Sequence, residues 1–258
     1  MECLHMSGAG NDFMVIDARG MELDFKNMAL TLCAKTGADG FMAVGLSQKA
    51  DFRLHFYNSD GTRGEMCGNG ARCICKFAFD HGIAGSAMVV ETDAGLVYGW
   101  RLGENQYRVQ LNNPGILDLH RTEDAAYVEL GNPGVPHGVV ELPGLSWDMA
   151  DALRERAVSL RYAAEFPKGA NINFYDWIGD TTVRVLTYER GVEDYTLACG
   201  TGCGSIASVL YTKGQLPGGV LTAVNKGDTL TVTIGSKEGT IDTILLEGPA
   251  ETEKFYEI

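Results

Sequence analysis

The sequence predicts an α+β fold with mixed sheets, divided into two related halves. Three observations carry that reading. The 258-residue chain aligns with itself without a gap at an offset of 132 positions: Gly37, Ala38, Leu54, Cys67, Gly68, Gly70, Ile74, Gly82 and Gly95 recur as Gly169, Ala170, Leu186, Cys199, Gly200, Gly202, Ile206, Gly214 and Gly227. With 33 glycines in the chain, single glycine matches carry little weight, but Cys-Gly-x-Gly recurring in step is not an effect of composition. Within each copy, alternating apolar residues give way to apolar residues at helical spacing, the change of period that marks a strand followed by a helix.

Taken in order, the first helix spans about Asp24 to Thr36, with Asp24 as N-cap and Gly37 ending it. Phe52, Leu54 and Phe56 alternate in DFRLHFY as in a half-buried strand. The next helix begins at Cys67, carries small or apolar residues at 71, 74, 75 and 78, and closes at Gly82. Phe77 and Phe79 widen its apolar face until it looks nearly enclosed. Strands follow in AMVVETDAG. A further helix is expected from Ser146, its N-cap, to about Tyr162. The second copy then repeats the plan: a strand around Val183, Val185 and Thr187, a helix from Cys199 with positions 203, 206, 207 and 210 facing inward and Gly214 at its end, and strands in VLTAVNKGDTLTVTI.

Composition excludes several function classes. A net charge of −13 with no Lys/Arg cluster repels a phosphate backbone, so no nucleic-acid partner is expected. No run reaches the roughly 18 apolar residues of a membrane span, and MECLHMSGAGNDF lacks a basic start with an apolar core; no membrane association and a cytoplasmic location are expected. The seven cysteines, at 3, 33, 67, 73, 75, 199 and 203, are odd in number and irregular in spacing, unlike a disulfide framework. Their spacing also lacks the paired CxxC or HxxxH patterns of zinc sites. Cys3, Cys33 and Cys75 read as small buried side chains, and Cys73 and Cys203, inside the helices, as packing residues.

Cys67 and Cys199 differ because each opens a helix. A helix N-terminus exposes unpaired N–H groups and the positive end of the dipole, a seat for a carboxylate, and glycines let the ligand approach the main chain. The same field is expected to lower a cysteine's pKa and favour its thiolate. A pseudo-twofold arrangement of the halves would bring the two helix starts to one interface, with a thiol on each face of the carbon next to the bound carboxylate. Inverting an α-carbon needs that: one sulfur removes the proton and the other delivers one from the opposite side, while fixed donors stabilise the charge that develops.

Five segments extend the case along the chain: GAGNDF (8–13), YNSDGTRGEMCGNGARC (57–73), GNPGVPH (131–137), GANINF (169–174) and YERGVEDYTLACGTG (188–202). Together they resemble the diaminopimelate epimerase family. The resemblance implies two pseudosymmetric domains, each a mixed sheet curled around a central helix, with bounds 1–116 plus 248–258 and 117–247 and the active site between them. It implies interconversion of LL- and meso-2,6-diaminopimelate in lysine and peptidoglycan synthesis, no cofactor (neither PLP nor a metal), and a homodimer. Cys67 and Cys199 would be the acid/base pair. Gly68, Asn69, Gly200 and Thr201 would donate N–H groups to the reacting carboxylate. Asn11, Asn58, Asn132, Asn171, Glu189 and Arg190 would hold the distal end, and His137, with Glu189, would tune the thiols.

Plainer readings stand beside these. Asn11 and Asn132 suit turns, His137 an ordinary loop, and Glu189 with Arg190 a surface ion pair of small worth. Tyr195 stands where family members often carry an acid, and Gly40 where many carry Gln; both are candidates to line the distal pocket. A racemase of another amino acid, such as histidine, is therefore the alternative substrate reading. A dithiol redox protein fits less well, since Cys67 and Cys199 lie far apart in sequence, and a non-catalytic amino-acid-binding module gives no reason for two cysteines.

Overall fold

The computed structural model describes residues 1–64 and 67–258. The chain forms two compact units, one of Met1–Gln110 with Glu247–Ile258 and one of Leu111–Leu246. In the first, the order is β1 (Glu2–Gly8), β2 (Asn11–Asp17), α1 (Phe25–Thr36), β3 (Gly40–Gly45), β4 (Phe52–Asn58), α2 (Gly68–Asp80), β5 (Ala87–Thr92), β6 (Gly95–Arg101) and β7 (Gln106–Leu111). The second holds β8 (Pro114–Asp118), β9 (Ala126–Gly131), β10 (Gly134–Glu141), α3 (Ala150–Arg161), β11 (Asn171–Gly179), β12 (Thr182–Glu189), β13 (Asp194–Thr196), α4 (Gly200–Thr212), β14 (Val220–Val224) and β15 (Thr229–Lys237). β16 (Thr240–Pro249) leads back into the first unit, which β17 (Glu251–Glu257) completes.

Both units are mixed sheets, as the sequence predicts. β1 pairs antiparallel with β17 and β2, β2 runs parallel to β3, and β4 runs parallel to β5. In the second unit β10 runs parallel to β11, and β12 parallel to β14. The sequence repeat survives at the level of elements: Gly68–Asp80 and Gly200–Thr212 have the same length and the same offset. Each of these helices is enclosed by its sheet, α2 against β1, β2, β3 and β6, and α4 against β8, β9, β10, β11, β14 and β15. Ile74, Cys75 and Ala78 in α2, and Ile206, Ala207 and Leu210 in α4, are fully buried. Burial of a large aliphatic side chain of this kind stabilises by about 1.5–3 kcal/mol, so the central helices anchor the two cores.

The helix ends form as their residues dictate. Asp24 caps α1 by accepting from Asn27 N at 3.1 Å, and Gly37 closes it at φ +80°. Beyond α2 and α4, Gly82 and Gly214 take positive φ, and the following residues donate back, Ile83 N to Ala78 O and Gln215 N to Leu210 O. The helix expected from Ser146 differs. Ser146 caps a single 3₁₀ turn, Trp147–Met149, and the α-helix begins at Ala150 and ends at Arg161. Trp147 Nε1 donates to Val185 O at 3.1 Å, which pins the first turn to β12 in the tighter winding. α3 then covers the outer face of β11 and β12 with Leu153 and Ala157. Among the described residues, no helix is long and apolar enough to cross a membrane.

Candidate active site

Cys67 and Cys199 are the N-caps of α2 and α4, with nearly the same extended backbone, φ −126° ψ 124° and φ −127° ψ 107°. Each carbonyl accepts the first helical bond, from Ala71 N at 2.7 Å and from Cys203 N at 3.0 Å. The N–H groups of Gly68, Asn69, Gly200 and Thr201 occupy the first turns, where a helix has no internal acceptor to offer. Glu65 and Met66, in the motif before Cys67, lie outside the described residues. At Cys199 the sulfur itself closes the turn: Gly202 N donates to Sγ at 3.4 Å, and Thr201 Oγ1 lies 3.6 Å away.

The pKa of Cys199 corrects the expectation of a lowered value. Burial pushes the thiol well above its ordinary value, and the Glu189 carboxylate adds to this; the Thr201 and Gly202 hydrogen bonds act the other way and lose. Desolvation of a charge outweighs a partial charge at a helix end when the sulfur is buried. Cys199 is therefore a thiol at rest. Cys67 is partly exposed. Cys73 and Cys75, buried inside α2, are pushed up to about 12, and Cys3 and Cys33 to about 11, again by burial. These four behave as inert packing residues.

In the first unit, one chain of hydrogen bonds sets the polar groups around α2. The fully buried Arg72 donates through Nη2 to Asn69 Oδ1 at 3.0 Å, and through Nη1 and Nε to the carbonyls of Gly68 and Pro249. With its oxygen so engaged, Asn69 turns its Nδ2 to Asn11 Oδ1 at 2.6 Å, and Asn11 Nδ2 donates to Asp39 Oδ2 at 3.0 Å. Asp39 also accepts from Asp12 N, and its carbonyl takes Ser59 N beside Asn58. Asn58 is exposed and donates to Thr62 Oγ1 at 2.9 Å. Asn11 and Asn69 are thus brought together, and Asp39 and Arg72 are the members that the sequence reading missed. The GADG and GARC segments contain them, but nothing local reveals what they touch.

In the second unit, strand register does the assembling. The parallel pairing of β10 with β11 sets His137 opposite Asn171, and the antiparallel pairing of β11 with β12 sets Asn173 opposite Thr187. Asn171 is buried and spent on the main chain: Nδ2 donates to Pro136 O at 3.1 Å, and Oδ1 accepts from Arg190 N at 2.8 Å. It fixes the turn at Arg190, whose exposed side chain reaches Lys168 O at 3.3 Å. Glu189 is close enough to raise Cys199. Asn132 stands at the exposed turn from β9 to β10, before cis-Pro133. Asn173, which the sequence reading passed over, contacts His137 and closely approaches α4. A Cβ on Gly202 would collide with Asn173 Oδ1, which is why the second glycine of Cys-Gly-x-Gly has to be glycine here.

Among the described residues, one His/Cys/Asp/Glu group has ligand-like proximity: His5, Asp12 and Glu253. Asp12 lies 3.7 Å from Nε2 and Glu253 3.7 Å from Nδ1, so the carboxylates face opposite ring nitrogens. One ligand atom from each of the three lies within 4.8 Å of the others.

The sequence profile described as diaminopimelate epimerase matches residues 3–114 and 130–252. The chain belongs to the diaminopimelate epimerase family. The diaminopimelate epimerase of Aquifex aeolicus is 37% identical over 90% of this chain and 89% of its own length; that of Archaeoglobus fulgidus is 36% identical over 95% and 91%. The fold is wider than the family. A Bacillus anthracis protein of the PhzF phenazine-biosynthesis family superposes with a TM-score of 0.77 at 15% identity, over 100% of this chain and 98% of that one. A hydroxyproline epimerase from Agrobacterium vitis, with trans-4-hydroxy-L-proline bound, gives 0.74 at 17% identity, over 100% and 90%.

Tyr195 and Gly40, the two further candidates to line the distal pocket, both lie in packed surroundings. Tyr195 stacks edge-on against Tyr188, with ring centroids 5.4 Å apart, lies under Arg154, and packs against the apolar cluster that includes Leu153 of α3. At Gly40, a Cβ would come within 2.8 Å of the Phe56 ring and 3.0 Å of Tyr57 O, so Phe56 occupies the space a glutamine would need.

Proposed function

We propose that this chain interconverts LL- and meso-2,6-diaminopimelate by a two-thiol proton exchange, with Cys67 and Cys199 as the catalytic residues. The observation that carries the reading is the pair of matched helix starts, each with a cysteine as N-cap and glycines behind it, in a chain of this family. Abstraction of the α-proton leaves a carbanion whose charge spreads into the adjacent carboxylate. N–H donors of Gly68, Asn69, Gly200 and Thr201 are suited to hold that charge where it develops. Cys199, a buried thiol, begins as the acid; in the direction where it gives its proton, Cys67 acts as the base. In the reverse direction Cys199 begins as the thiolate base, with the Thr201 and Gly202 contacts supporting its charge, and Cys67 is the acid.

The distal amino-carboxylate falls to polar groups of the same two sets. Arg190 offers a forked guanidinium to a carboxylate; Asn11, Asn58 and Asn132 offer amides, and Glu189 an acceptor for an ammonium. Asn171 works through Arg190, whose backbone it fixes. A homodimer and a cytoplasmic location belong to the same reading, and light scattering of the purified chain tests the first. The decisive experiment is incubation with LL-diaminopimelate in heavy water, without added cofactor. Deuterium enters the α-position and the meso isomer forms. If neither isomer exchanges, while another L-amino acid in a panel gives its D-form, the substrate is wrong and the chemistry stands.

A further inference from the structure

His137 is wholly buried, and its two ring nitrogens are in unlike surroundings. Nδ1 lies 3.2 Å from Asn173 Nδ2, while Nε2 has no hydrogen-bond partner among the described residues. The protonation of the ring follows from which way the Asn173 amide points. Its Nδ2 faces two backbone carbonyls, Gly138 O at 3.0 Å and Asn171 O at 3.3 Å, and its Oδ1 accepts from Thr187 Oγ1 at 3.0 Å. Turning the amide over would set an oxygen against two carbonyl oxygens, so this orientation is fixed. An amide nitrogen only donates; an N–H on Nδ1 would point at another N–H. The proton of the neutral ring is therefore on Nε2.

We propose that Asn173 is a positioning residue that holds His137 as the Nε2–H tautomer, so that the ring serves as a neutral hydrogen-bond donor beside the Cys199 helix start and not as a proton acceptor. The inference rests on the two-thiol reading above for its connection to catalysis, and on geometry alone for the tautomer. Asn173 also meets α4 directly, because its Oδ1 occupies the space a Cβ on Gly202 would fill. One side chain thus ties the imidazole, β12 through Thr187, and the first turn of α4. An orphaned, buried N–H is costly unless something accepts from it, and a carboxylate or thiolate supplies the missing acceptor. Burial and the nearby Arg190 cation push the imidazole down to about 3, consistent with a ring that stays uncharged.

The test is ¹⁵N NMR of the full-length protein with labelled histidine, the His137 signals being those absent from His137→Gln. At pH 7 wild type shows a neutral ring protonated on Nε2 and bare on Nδ1. In Asn173→Asp the carboxylate accepts from Nδ1–H, so the ring becomes the other tautomer or an imidazolium. kcat then falls about 100-fold, the lower end of what a misplaced acid/base partner costs, with KM changed by less than about threefold. A wild-type ring protonated on Nδ1 overturns the proposal, and so does an Asn173→Asp protein with an unchanged ring or unchanged kcat. Should Asn173→Asp fail to fold, the wild-type spectrum and Asn173→Ala decide the point: with the donor gone and no charge added, the Nδ1–H tautomer appears, and a ring held wholly as Nε2–H overturns the proposal. If the chain proves inactive on diaminopimelate, the spectra still report the tautomer, so the two readings fail separately.

Discussion

Acidifying the protein from pH 7 to pH 5 charges His137 in the unfolded chain but not in the folded one. The ordinary imidazole value is 6.5, and in the fold it is about 3. Between those values the unfolded state binds one proton more than the native state, so stability rises with pH across the window and is lost as pH falls below 6.5. The slope for one group is about 1.36 kcal/mol per pH unit, so by pH 5 His137 costs ~2 kcal/mol. The cause is physical: a charge would enter an enclosed site in which Asn173 turns a donor toward Nδ1. Urea unfolding at both pH values measures it, with wild type compared against His137→Gln. The other histidines and the carboxylates contribute equally to both proteins and cancel in the difference. Wild type loses ~2 kcal/mol more than the variant between pH 7 and pH 5. Equal losses would show that His137 is reached by protons in the folded state, and would refute the burial argument.

Other consequences follow from the same contacts. Cys67→Ser and Cys199→Ser each lower epimerisation by at least about 100-fold while circular dichroism is unchanged, because serine is itself a favoured helix N-cap. In a Cys67→Ser background, alkylation of Cys199 by iodoacetamide accelerates only at alkaline pH, and Glu189→Gln moves that rise to lower pH by removing a charge that opposes the thiolate. Gly202→Ala drives a methyl into Asn173 Oδ1 and shifts the first turn of α4; kcat falls about 100-fold, and a normal kcat would contradict the packing. Gly40→Gln displaces Phe56 and lowers unfolding stability by about 1–3 kcal/mol, read from the same denaturation curves.

Much of the local architecture was legible because it is determined locally. Asp24 and Gly37 cap α1 where they stand in the sequence, since a cap depends on the few residues around it. The start and length of α2 and α4 were visible in the repeat. Ser146 misled by one turn, because the winding after it is set by Trp147 reaching Val185, nearly forty positions away. Gly40 and Tyr195 show their packing only in the fold, Gly40 against Phe56 and Tyr195 against the cluster that includes Leu153 of α3.

The two halves, their mixed α+β class and the equivalence of Cys67 and Cys199 as helix-opening cysteines can all be read along the chain. Periodicity, glycine placement and a constant offset are properties of the chain, and each has a direct local consequence. Tertiary structure alone decided the state of the groups: that Cys199 rests as a thiol, that Asn171 serves the backbone of Arg190, and that Asn173 dictates where His137 carries its proton. Desolvation and cross-strand register are sums over residues far apart in sequence. No reading of a motif contains them until the strands are paired.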